Sequence, residues 1–243
     1  MSSGTQSEMD PELEEWLAEA RDLEAADAPP DLDGMLEGVE RRLSEADKSW
    51  TFWLQSRATS VRRAIAFLGA ALIVTVTGVL SLRTNFADLP VPWLVLALGS
   101  VSALLGVSLY VGLRPLHEPA LPKWIRLGVI GTTVGATCAL ALFAPEDAIL
   151  SDQPLLAHAS GCFFYGLLVG LPVYLLLRLL HRGGPAAALV TACAAGLTAN
   201  LVLQLHCPRN DLEHLMAGHF TVVLLFLGGL GAIHWVIERV RAR

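Results

Sequence analysis

Six stretches of this sequence, roughly residues 64–82, 92–113, 125–143, 158–180, 185–205 and 219–237, are apolar and carry no Lys, Arg, Asp or Glu in their middle. A helix needs about 20 mainly apolar residues to cross the hydrocarbon core of a bilayer. In lipid the backbone must satisfy its own polar groups, which a helix does. The pattern predicts an all-α chain: a six-helix transmembrane bundle over residues 61–243, preceded over residues 1–60 by a short cytoplasmic segment of amphipathic helices. The gaps are short, so neighbouring helices should run antiparallel. A mean hydropathy of +0.53 and 53% hydrophobic residues exceed what an ordinary soluble domain carries. Small residues recur in the spans at Gly128, Gly131 and Gly135 and in the runs 186–188 and 192–195, where they should let helix backbones approach closely. Pro172 is expected to kink the fourth span.

Charge sets the orientation. Residues 1–60 hold fifteen acids and five bases, and Met1–Glu15 lacks the basic and apolar regions of a signal peptide. With this head in the cytoplasm, the inner ends of the spans carry eleven bases, among them Arg62, Arg63, Arg114, Lys123, Arg126 and Arg178, and the outer loops only Arg83 and Arg209. That is a decisive positive-inside bias.

The acidic head has two apolar stripes at helical spacing. Asp10–Pro11 reads as a helix start, followed by Leu13, Trp16, Leu17, Ala20 and Leu23. Ala28–Pro29–Pro30 interrupts the pattern, and Leu32, Met35, Leu36, Val39 and Leu43 form the second stripe. Two such helices in about 60 residues cannot bury a sizeable core alone. Packing on each other or on the membrane surface is one outcome, although an acidic head suits anionic lipid poorly. A partner protein with a basic, apolar-grooved surface suits it better, as proteins that bind nucleic acid provide.

The chemistry-bearing residues gather at the outer side. The topology places Cys138, His158, Cys162, His206, Cys207, His214 and His219 at outer span ends or in the outer loop. His158 and Cys162, at i and i+4, share a helix face. Cys193, Asn200, Gln204 and Cys207 fall near one stripe of the fifth span, expected to point inward. Thiolates and imidazoles are ligands for zinc and copper(I), so His158, Cys162, His206, Cys207, His214 and His219 are candidates for holding a transition metal ion. Two cysteines on the oxidising side could instead form a disulfide, or the cysteines could simply pack as small apolar residues. The four cysteines include no CxxC pair, and the His206–Cys207–x6–His214–x4–His219 spacing matches no standard zinc signature. No nucleophile elbow, phosphate loop or HExxH motif is present, so an enzyme is not expected. The spans contain no buried acids for proton coupling, which weighs against a transporter.

The run from Gly161–Cys162 through Gly166, Gly170, Leu171 and Pro172, then Arg182–Gly183–Gly184–Pro185, Gly196 and His206–Cys207–Pro208, resembles the NrsF family of six-span anti-sigma factors. The resemblance covers about residues 60–240. Cys162 and Cys207 match the family's two cysteines, and His214 or His219 matches its polar start to the last span. Arg209 stands where the family has an acid, and the family's tryptophan near the last-span histidine is absent. A more distant similarity is to CarR-type anti-sigma factors. The resemblance implies a protein of the bacterial inner membrane, with both termini cytoplasmic, that sequesters an extracytoplasmic-function (ECF) sigma factor. The head would bind sigma through Leu13, Trp16, Leu17, Leu32, Met35, Leu36, Val39 and Leu43, without touching nucleic acid directly. An envelope, redox or metal signal would release it. The alternative is a small-molecule or metal-binding membrane protein, a transporter subunit or redox protein, whose head is a tether.

Overall fold

A computed structural model of the chain describes residue 37 and residues 50–115, 118–119, 121–145, 154–181 and 185–241. Both apolar stripes of the head, from Leu13 to Leu43, lie outside the described residues. The described residues from Trp53 onward belong to one compact unit, Trp53–Arg243, and residues 37 and 50–52 to the other, Met1–Phe52.

The described residues are helical, with no strand among them. A short helix α1 (Trp50–Ser56) precedes five long ones: α2 (Thr59–Leu80), α3 (Val91–Gly112), α4 (Lys123–Leu142), α5 (Leu155–Leu180) and α6 (Pro185–His206). Proline marks the starts. Pro90, Pro122 and Pro154 stand immediately before α3, α4 and α5, and Pro185 is the first residue of α6. There the fixed φ suits the helix and the missing N–H leaves no bond unmade. Pro208 acts at the other end: the residue before a proline is steered out of helical geometry, and α6 stops at His206. Helix α5 runs unbroken through Pro172.

The last element, α7, spans 212–241 and alternates between two hydrogen-bonding registers. Turns of α-helix at Leu212–His214, Thr221–Leu224 and Ala232–Arg241 flank two π-helical segments, Leu215–Phe220 and Leu225–Gly231. It starts seven residues before the expected position 219. Asp211 is the reason: its carboxylate accepts from the His214 N–H at 3.0 Å, an N-cap that lets a polar first turn stay helical. Six helices, α2 to α7, are long and apolar enough to cross a bilayer, and the chain is a multi-pass membrane protein.

Helix α6 is the hub. Of its apolar window 89% is buried, against 11–39% for the other five, and α2, α3, α4, α5 and α7 all pack on it. The expected inward stripe of Cys193, Asn200, Gln204 and Cys207 is buried, but so is nearly the whole circumference of α6. Its alanine runs and Gly196 permit this. A Cβ on Gly196 would stand 3.1 Å from the Val223 Cα of α7, so a side chain there would push the two backbones apart by a few tenths of an ångström. Gly128, Gly131 and Gly135 behave otherwise. A Cβ on any of them meets nothing within 4 Å; they lie on the outer face of α4, where Val129, Thr133 and Thr137 make the inward contacts.

Two buried arginines fasten α2 at its ends. At one end Arg62 donates from Nη1 to the Leu180 carbonyl, the C-terminus of α5, at 2.8 Å. Beyond the other end, Arg83 reaches the turn between α6 and α7. The Arg62 end also has Arg57 over Trp53 and Arg63 over Tyr110, with Trp124 exposed. This is the pairing of aromatic rings and cations that suits a membrane interface.

Candidate metal centre

Three elements meet at the Arg83 end of the bundle. Helix α5 brings His158 and Cys162 on one face. The turn after α6 brings Cys207, whose N–H still bonds the Leu203 carbonyl at 2.8 Å, so its sulfur is held at the helix end. The first turn of α7 brings His214. Gly218 lets α7 come close to α5, because a Cβ there would stand 3.2 Å from the Ala159 carbonyl oxygen and 3.4 Å from the Cys162 Cβ.

The four side chains converge. Cys162 Sγ lies 3.4 Å from Cys207 Sγ, and Cys207 Sγ lies 3.1 Å from His214 Nε2 and 3.6 Å from His158 Nε2. All four ligand atoms fall within 4.8 Å of one another. A tetrahedral zinc with its usual Zn–S and Zn–N bonds holds its donors about 3.3–3.8 Å apart. The observed set needs only small side-chain adjustments to match. Two sulfurs and two imidazole nitrogens form a donor set that favours zinc or, among soft ions, copper(I). Cys162, Cys207 and His214 are buried, while His158 is half-buried. It lines a cavity of about 380 Å³ with Cys162, Tyr165, His206, Cys207 and Pro208.

Cys207 is the hub atom. The Cys162 thiol donates to it and pulls its pKa down from the usual thiol range; burial works against that shift, and His214 and His219 add to it. A sulfur beside two imidazoles is well placed to bind a metal as the thiolate, the form that ligates. Within and beside the group, His214 Nδ1 and Asn200 Oδ1 are buried without a hydrogen-bond partner. Such atoms are costly in a dry interior, and an ion or the water it carries would satisfy part of that demand. The residues present therefore fit a metal ion. The cysteines are free, and their sulfurs are also near enough for a disulfide after a modest approach, since the bond itself is about 2.05 Å.

Of the six candidates in the sequence, four form this group. His219 sits beside it, its ring 5.4 Å from that of His214. His206 turns away: its Nδ1 lies 2.9 Å from the Ser81 carbonyl, and its ring packs 4.3 Å from Tyr165. Cys138 stays apart on α4, and Cys193 is fully buried in the middle of α6. Pattern reading misses the scaffold around Cys207, made by Arg83, Asn85 and Asn210. Its trace in the sequence is Arg83, one of only two arginines in an acidic set of outer loops. No protein-family model, curated protein or solved structure matches the chain.

Proposed function

We propose that this protein is a membrane-bound anti-sigma factor whose Cys/His centre receives the releasing signal. The observation that carries the reading is the convergence of Cys162 and Cys207, the two cysteines shared with NrsF-type proteins, with His158 and His214 around one point. The basic bias of Arg57, Arg62, Arg63, Arg114, Lys123 and Arg126 supports a cytoplasmic Arg62 end and a centre at the outer face of a bacterial inner membrane. The acidic segment 1–60 then lies where an ECF sigma factor is found. Its apolar stripes, including Leu17 and Leu36, cover sigma and keep it from RNA polymerase.

Signalling requires two bundle states to which the signal has unequal affinity. A zinc-like or copper(I) ion draws the four donors together. A thiol oxidant acts on the same pair: two thiols become a disulfide, and two protons and two electrons pass to the oxidant. Either event changes how α5, the α6–α7 turn and α7 meet. The same centre would also serve a metal-binding membrane protein with a tethering head, the second reading.

The reading is tested in full-length protein carrying Cys162→Ser together with Cys207→Ser. Basal repression of the sigma-dependent genes should persist, and their induction by metal or oxidant should disappear. Normal induction in this variant would leave the cysteines as packing residues. Failure of any sigma factor to co-purify would favour the second reading.

A further inference from the structure

Three of the four donors ride on helices; Cys207 does not, because it lies one residue past α6. A ligand must be held to within about 0.5 Å to act as part of a preorganised site, and turns are less rigid than helices. Arg83 supplies the missing constraint. Its Nη2 donates to the Pro208 carbonyl at 2.8 Å, its Nη1 to Asn210 Oδ1 at 3.0 Å and its Nε to Asn85 Oδ1 at 2.7 Å. Asn85 Nδ2 donates to the same Pro208 carbonyl at 3.1 Å. On the other side of Cys207, the Arg83 N–H donates to the Leu205 carbonyl at 2.8 Å. The chain is thus gripped two residues before the sulfur by the Arg83 backbone and one residue after it by the Arg83 side chain, in a residue only 4% exposed. Because the Cys207 sulfur is the one within 3.1–3.6 Å of all three other donors, a shift of this turn opens the whole set.

From this geometry we infer that Arg83 is the positioning residue of the metal centre, holding Cys207 in place from the α2–α3 turn. The inference rests on the metal-binding reading above. Arginine suits the task because its planar fork reaches three acceptors in different directions, which a lysine ammonium on a flexible stem does not. Partners behind metal ligands commonly tune affinity by about 10–100-fold, and the effect here falls on one named ligand.

The test is a Co²⁺ titration of the full-length protein in detergent, followed by thiolate-to-cobalt absorption. The unaltered protein should give the band of a two-thiolate centre. Arg83→Gln should lower the affinity by about tenfold or more and reduce the band to that of Cys207→Ser. Arg83→Lys, which keeps a buried cation and reaches fewer acceptors, should fall between. Arg62→Gln removes an equally buried arginine from the far end of α2 and should change neither quantity. Wild-type affinity and a two-thiolate band in Arg83→Gln or Arg83→Lys would overturn the inference, and so would an equal loss in Arg62→Gln. Absence of any thiolate–cobalt band in the unaltered protein would instead remove the metal centre itself, a result distinct from both.

Discussion

Cys207 and His158 occupy opposite positions in the centre, and substitutions should separate them. Cys207 touches the other three donors, so Cys207→Ser should abolish tight Co²⁺ binding. His158 is half-buried beside an open cavity, where water can take its coordination place. His158→Ala should therefore weaken Co²⁺ binding by about tenfold and leave a two-thiolate band. His206→Ala should leave the affinity unchanged, because that ring is engaged with Ser81 and Tyr165. Unequal affinity losses in His158→Ala and His206→Ala, with the larger in His206→Ala, would contradict this assignment. At this scale the residue types are legible in the sequence, since thiols and imidazoles crowd the span ends. Which of them meet is not legible. His206 neighbours Cys207 in sequence and looks like a ligand, but the Ser81 carbonyl captures it. Arg83 reads as a loop cation because its acceptors, Pro208 and Asn210, are about 125 residues away.

Helix α7 has the geometry that a regular α-helix would deny the site. At 3.6 residues per turn, positions i and i+5 diverge by about 140°, which would send His214 and His219 to different faces. The π-helical segment Leu215–Phe220 restores them to one side, and their rings stand 5.4 Å apart. Such π-turns often mark functional sites. A 3.6-residue period therefore does not predict that the two rings share a side, and the early start of α7 comes instead from the Asp211 cap. The five other spans are recovered to within a few residues, because their limits follow from apolar length and proline. Contact glycines are less legible: among small residues in the spans, the sequence draws attention to Gly128, Gly131 and Gly135, while Gly166, Gly170, Gly196 and Gly218 are among those that make close approaches. Gly218→Ala should destabilise the bundle, since overpacking against the fixed Ala159 carbonyl costs about 1–3 kcal/mol and exceeds the gain in helix propensity of about 1 kcal/mol. Gly131→Ala meets no neighbour and should keep that gain. A thermal-unfolding comparison in detergent should place Gly218→Ala below the unaltered protein and Gly131→Ala at or above it. The reverse order would show that α5 and α7 do not meet as described.

On the scale of the whole molecule, the proposed function requires the acidic segment 1–60 and the thiol–imidazole centre to communicate across a membrane. Cysteine labelling of intact cells should find positions 60, 118 and 182 protected and positions 88, 148 and 210 accessible; a head accessible from outside would remove the account. Leu17→Asp and Leu36→Asp each place a charge on an apolar stripe, a cost of several kcal/mol when that stripe is buried against a partner. Each should raise sigma-dependent expression while the protein stays in the membrane. Unchanged expression in both would show that the stripes bind something else. The alternation of apolar spans makes the fold legible from sequence, whereas the partner of the head is written in surface chemistry that a single chain does not display. The direct measurement is therefore of the complex. The full-length protein is immobilised in detergent under reducing conditions, without added metal, and the retained proteins are identified before and after Zn²⁺ is added. The account predicts that an ECF sigma factor is retained and then elutes with Zn²⁺, and that the Cys162→Ser, Cys207→Ser variant retains it throughout. A preparation that holds no sigma factor, or one from which the doubly substituted protein releases it as readily as the unaltered one, would contradict it.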